Sequence, residues 1–211
     1  MHAEDLKTEA IAWLRYIRRC HLVCTEVGPY NSDCWGLSDD RLTEVETKIS
    51  MADFKADFRK DKHAVYSRQT QNYYGVPNTF YFCVPESLGD KALEFLEKIE
   101  TPGLGYVKPG PVMDTVKKYG LLVAGNPHSG ILGRRLTVVK KAAFIHKNAY
   151  SDSVRRTAEM RMSSELCGLR VTLSNHVYRI GEQIRDLTAA TGEAYRQACL
   201  ADRPIVEEVD A

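Results

Sequence analysis

The chain has 211 residues, 44% hydrophobic and 27% charged, which is the composition of a globular protein with a sizeable core. No apolar run approaches the ~20 residues of a membrane span, and the opening MHAEDLKTEA predicts no signal peptide, so membrane residence is not expected. The net charge of +1 gives no overall field toward nucleic acid, and six scattered cysteines predict reduced thiols in a cytoplasmic protein.

Residues 4–19 repeat apolar positions at Leu6, Ala10, Trp13, Leu14 and Ile17, the spacing of a helix. His21–Val27 reads as a strand ended by Gly28-Pro29, and Asp33–Leu37 as a second strand before a turn at Ser38-Asp39-Asp40. Arg41–Ile49 alternates, with Thr43, Val45, Thr47 and Ile49 on one face and Leu42, Glu44, Glu46 and Lys48 on the other. Ser50 then predicts a helix N-cap with Asp53 three residues on, opening one helix through MADFKADFRKDKHAVYS.

Thr79–Val84 is a nearly continuous β-rich run, expected inside a sheet. A helix over Leu88–Ile99 and a Gly- and Pro-rich loop over Pro102–Pro111 follow, then a short helix over Val112–Lys118. Strands over Tyr119–Ala124 and Arg135–Val139 are joined by the loop GNPHSGILG. From Ser151 onward the pattern is helical, although Gly168, Val171 and Thr172 weaken an unbroken helix. Leu166, Leu169, Leu173, Val177, Ile180, Ile184 and Leu187 lie three or four apart, which is close to a coiled-coil seam; the stripe either packs back on the domain or pairs two copies as a homodimer. The order of elements predicts an α/β fold around a mixed central β-sheet flanked by helices.

The chemistry concentrates between Asp33 and Asp61. Glu46 and Lys48, two apart on a strand, project from one face, and Asp33 begins the neighbouring strand. Two carboxylates are hard oxygen donors suited to Mg²⁺ (or Mn²⁺), which lowers the pKa of a bound water and neutralises charge on a phosphate. A lysine beside them can orient that water and stabilise developing charge. Lys55, Arg59, Lys62 and His63 on the following helix are candidates to approach DNA, interrupted by Asp57 and Asp61. Arg134 and Arg135 open a second basic stretch, reaching Arg161, with eight cations against two acids.

On these residues the chain resembles the PD-(D/E)xK nuclease superfamily, whose signature is an acid, a variable gap and an acid-x-lysine triplet on the next strand. Asp33, Glu46 and Lys48 match it, with Ser32 where a proline often stands. Within the superfamily, VETKISMADFKADFRKDKH is similar to a stretch of MmcB-like DNA-repair proteins and related phage and bacterial proteins. NTFYFCVPESL and RRLTVVKKAAFIHKN resemble the strand that follows there and the closing basic strand. The resemblance spans residues 4–165. It implies a restriction-endonuclease-like core over residues 1–150, with a C-terminal helical extension (151–200) and an acidic tail (201–211) outside it.

The function implied is a Mg²⁺-dependent deoxyribonuclease, a phosphodiester hydrolase of DNA repair, processing or phage DNA metabolism. Asp33, Glu46 and the Thr47 backbone carbonyl would bind metal, with Glu26 or Glu9 as a further acid, and Lys48 would orient the water. The alternative is a catalytically inactive nucleic-acid-binding module of the same fold. Gln69 and Tyr73 match a QxxxY spacing found in exonuclease branches of the superfamily. Cys20, His21, Cys24 and Cys34 make only one loose pair, too little for a zinc site. The segment 125–130 lacks the Lys-Ser/Thr of a phosphate loop, so His128 is expected to be a polar hairpin residue.

Overall fold

A computed structural model describes residues 2–68, 75–99, 111–125 and 135–201, with side chains as far as 197. Gln69, Tyr73, residues 102–110 of the expected loop, His128, Arg134 and residues 202–211 of the tail lie outside the described residues. The chain forms two units, residues 1–163 and 164–211.

The first unit is built on a six-stranded sheet whose spatial order follows the sequence. Strands β1 (Leu22–Val27), β2 (Ser32–Ser38) and β3 (Arg41–Thr47) form an antiparallel meander. β3 then pairs in parallel with β4 (Thr79–Pro85), and β4 with β5 (Gly120–Ala124), while β6 (Leu136–Lys140) closes the sheet antiparallel to β5. The mixed α/β sheet expected from the order of elements is therefore present.

Helix α1 (Ala3–Ala12) covers one face of the sheet and runs on through a π-helical turn at Trp13–Ile17, which buries Trp13 and Leu14 and leaves Tyr16 exposed. Its partners include Val45, Tyr81, Cys83 and Leu122, alternate residues of β3, β4 and β5. The opposite face carries Phe80, Phe82, Val84 and Leu121 under α2 (Met51–Asp57), α3 (Asp61–Arg68), α4 (Glu86–Lys98) and α5 (Pro111–Val116). β4 is apolar on both faces because both faces are covered. Gly120 is required where β5 passes β4, since a Cβ there would stand 2.3 Å from the Tyr81 ring.

The helix expected from Ser50 to Ser67 is two helices. Ser50 caps the first, its Oγ accepting from the Asp53 N–H at 3.2 Å. The chain then turns at Phe58–Lys60, where the Arg59 and Lys60 N–H groups donate to Ala56 and Asp57 carbonyls. In one continuous helix Asp57 and Lys62 would point about 140° apart; the turn brings them together.

Helix α6 (Asp152–Ala201) is unbroken through Gly168, Val171 and Thr172, the residues that weakened the case for one continuous helix. A Cβ at Gly168 would meet nothing within 4 Å, so the glycine carries an entropic cost and no packing role. In the first unit Val154 and Ala158 of α6 are buried with Trp35, Leu37 and Leu42. In the second unit the apolar stripe is exposed, from 54% at Ile180 to 68% at Leu187.

No helix among the described residues is long and apolar enough to cross a membrane. The described cysteines are free thiols. Cys20 and Cys34 sit under α1 whereas Cys24 belongs to the core beside Trp35, so the three thiols do not converge on one point.

Candidate active site

β3 puts Glu44, Glu46 and Lys48 on the face that carries Phe80 and Phe82, because Glu44 lies opposite Phe80 and Glu46 opposite Phe82. The polar face of an alternating strand ordinarily meets water. Here it is roofed by α2 and α3, and Glu44, Glu46 and Lys48 are 0%, 3% and 4% exposed. Charges so enclosed require paired partners, and the two helices supply them.

Asp57, from the end of α2, places Oδ2 2.9 Å from Lys48 Nζ and 2.6 Å from Lys60 Nζ. These contacts are ionic in geometry, since Oδ2 completes no directed hydrogen bond. Lys62 of α3 sends its ammonium to Glu46 Oε1 at 2.6 Å, Glu44 Oε1 at 3.3 Å and Asp57 Oδ1 at 3.6 Å. Lys48 Nζ reaches the other oxygen of Glu46, Oε2, at 3.1 Å. Tyr66 donates to Glu44 Oε2 at 2.8 Å. His63 contacts Asp57 Oδ1 through Nε2 at 2.9 Å and the Tyr119 hydroxyl through Nδ1 at 2.8 Å. Its ring is stacked 5.9 Å from Phe58.

Burial and charge act in opposition on these groups. Burial pushes Glu44 up to about 7, with Lys62 pulling the other way and Glu46 adding to the rise. Asp57 is buried too, yet the hydrogen bond with His63 and the charges of Lys62 and Lys48 hold it well below the usual carboxylate range. Burial alone would lower Lys48, but Asp57 and Glu46 raise it above an ordinary lysine, so it stays an ammonium at neutral pH. Lys62 is raised in the same way by Glu44, Glu46 and Asp57, and burial lowers His63.

Asp33 stands where β2 and β3 part. The paired register ends at Cys34 opposite Val45, and beyond it Asp33 Oδ2 accepts from the Thr47 backbone N–H and from Thr47 Oγ1, both at 2.8 Å. Asp33 Oδ1 takes no hydrogen bond from the described residues. Asp33, Glu46, Thr47 and Lys48 therefore lie at one end of two neighbouring strands, Glu46 and Lys48 touching on one face of β3 and Asp33 bound to Thr47, whose side chain alternates to the other.

The other candidates are placed differently. Glu26 is exposed and has a positive φ of 47°. It pairs with Lys7 at 3.0 Å and Arg161 at 3.4 Å, and the hydrogen bond from Lys7 draws its carboxyl below the usual range. Glu9 is buried and paired with Arg135. Arg135, a DNA-contact candidate, is thus committed to an internal acid.

Lys62 and His63, expected to approach DNA, are 2% and 1% exposed and belong to the charge network. The turn after α2 faces them inward. Lys55 lies over the Phe95 ring at 5.5 Å, while Arg59 is exposed. In the second basic stretch Arg155 pairs with Glu159, and Arg161 holds the Thr25 carbonyl as well as Glu26. Lys140 donates to the carbonyls of Lys117 and Tyr119. Lys141, Lys147 and Arg156 of that stretch are exposed. Much of its charge therefore serves the fold.

Among the described residues no group of three or more His, Cys, Asp or Glu side chains is arranged to hold a metal ion. A Mg²⁺ ion needs fewer, because it keeps several waters and takes one or two carboxylates. Asp33 and the Thr47 carbonyl suit one such ion in donor type, whereas Glu46 lies on the other face of β3 from the Thr47 side chain that Asp33 binds, with both its oxygens on ammoniums. Sequence reasoning missed Glu44, Asp57 and Tyr119. Glu44 carried one signal, an acid two residues before Glu46 on the same strand face.

Comparisons with protein-family models, with curated proteins and with solved structures gave no match.

Proposed function

We propose that the chain is a Mg²⁺-dependent deoxyribonuclease with a restriction-endonuclease-like core, hydrolysing phosphodiester bonds in DNA processing or repair. The observation that supports this reading is the Glu46–Lys48 contact of 3.1 Å at the end of β3, with Asp33 bound to the intervening Thr47 from the adjoining end of β2.

Asp33 and Glu46, with the Thr47 carbonyl, would hold the ion. When bound, it would supply a water of lowered pKa and a positive charge beside the phosphate. Lys48, an ammonium throughout the neutral range, donates hydrogen bonds and removes no proton; its part is to orient the attacking water and to stabilise charge on the phosphate oxygens. The exposed Arg59, Lys141, Lys147 and Arg156 offer salt-sensitive phosphate contacts.

A second reading, a nucleic-acid-binding module without catalysis, is favoured by one observation. Both oxygens of Glu46 are engaged by ammoniums, and the side chain is almost wholly enclosed. Cleavage of single-stranded, duplex and branched DNA with and without Mg²⁺ separates the two readings. The nuclease reading expects metal-dependent products that vanish in Glu46→Ala and Lys48→Ala. Undiminished cleavage by purified Lys48→Ala protein would sink it, whereas salt-sensitive binding without cleavage supports the second reading.

A further inference from the structure

We propose that Asp57 and Lys62, supplied by the α2–α3 segment, are positioning residues for Glu46 and Lys48; the inference rests on the nuclease reading of that pair. The four side chains form a closed, alternating ring. Glu46 contacts Lys48 at 3.1 Å and Lys62 at 2.6 Å, and Asp57 contacts Lys48 at 2.9 Å and Lys62 at 3.6 Å. Each acid touches both ammoniums and each ammonium both acids, so the strand pair and the helical pair neutralise one another.

The helical pair is itself anchored. Asp57 is held by His63, which is fixed in turn by the Tyr119 hydroxyl. Lys62 is held by Glu44, with its Nζ 5.1 Å from the centroid of the Phe80 ring. A reactive pair on a strand, supported by charged partners with locked side chains, is the arrangement a preorganised site requires.

The two buried lysines differ in the number of acids they face. Lys62 faces three carboxylates, those of Glu44 and Glu46 and, at 3.6 Å, that of Asp57. Lys48 faces two, Glu46 and Asp57. Lys48, with fewer acids around it, is the ammonium that the nuclease reading gives to the chemistry, and Lys62 supports it.

The experiment compares the wild type with Asp57→Asn, Lys62→Gln and the double variant, which removes one charge of each sign and leaves the net charge of the site unchanged. Cleavage kinetics with Mg²⁺, thermal unfolding, and ¹⁵N–¹H signals of the lysine ammoniums are measured. Expected for the double variant are cooperative unfolding, a kcat reduced roughly 10–100-fold and a KM for DNA close to wild type. Wild-type kcat in a folded double variant would overturn the proposal.

If the wild type cleaves no DNA, the nuclease reading fails and the ammonium signals decide. A slowly exchanging Lys48 signal that is lost in Asp57→Asn supports the positioning role. A Lys48 signal that is unchanged in that variant overturns it.

Discussion

Lys62 Nζ bridges Glu44 and Glu46, at 3.3 and 2.6 Å, two carboxylates that project from the same face of β3. Side by side and cut off from water, those acids would repel each other; an ammonium between them makes the strand tolerable in a core. The cation comes from a helix that begins only after the chain has turned at Phe58–Lys60. Fold and site are therefore interdependent at this point.

Removing one member of the ring leaves an unbalanced buried charge. Lys62→Met is expected to destabilise the protein by about 3–5 kcal/mol. Combining it with Glu46→Gln should recover part of that loss, because the remaining Lys48–Asp57 pair is neutral. Urea unfolding of both single variants and the double variant gives the coupling; strictly additive losses would contradict a closed ring.

Glu44 sets a pH dependence of known sign. Its carboxyl titrates near 7 in the folded protein, above its ordinary value of 4.5. As pH rises through that window the unfolded chain releases this proton before the native state does, so Glu44 costs stability progressively, on the order of 3 kcal/mol once both states are ionised. Glu44→Gln should therefore gain on the wild type between about pH 4.5 and 8. Melting temperatures across that range check this, and a gap between the two proteins that stays constant with pH argues against it.

Asp57 works in the other direction. Its folded-state value is depressed below its ordinary 3.8, so the stability it contributes is present above that pH and is lost as the solution becomes more acidic. Asp57→Asn should consequently flatten the acid limb of the stability profile below about pH 4, measured by denaturant titration.

Two helix predictions are independent of the site. Ser50→Ala removes the acceptor of the Asp53 N–H and should cost about 1 kcal/mol. Gly168→Ala, where a Cβ meets nothing, should stabilise α6 by roughly 0.5–1 kcal/mol. Thermal unfolding followed by far-ultraviolet circular dichroism reads both.

The strands were legible because period-two alternation and the apolar run at Thr79–Val84 are local signals. The Ser50 cap was legible for the same reason. The roof over β3 was not: alternation puts Leu42, Glu44, Glu46 and Lys48 on one face and cannot report what covers it. Lys62 and His63 were misplaced because a continuous helical phase carries them outward, and a three-residue turn reverses that. At Gly168 the low local propensity that weakened the case for an unbroken helix yields to the helical run on either side.

Asp33 holds together the point where two strands separate. Its carboxylate occupies the Thr47 N–H that the parting of β2 and β3 would leave without a partner. Loss of that carboxylate therefore confounds two effects, a missing ligand and a frayed strand end. An alanine at this position could abolish activity for either reason, whereas Asp33→Asn keeps an oxygen that can accept from Thr47 while discarding the charge. Position 33 can be interrogated cleanly only by a substitution that spares the amide it protects.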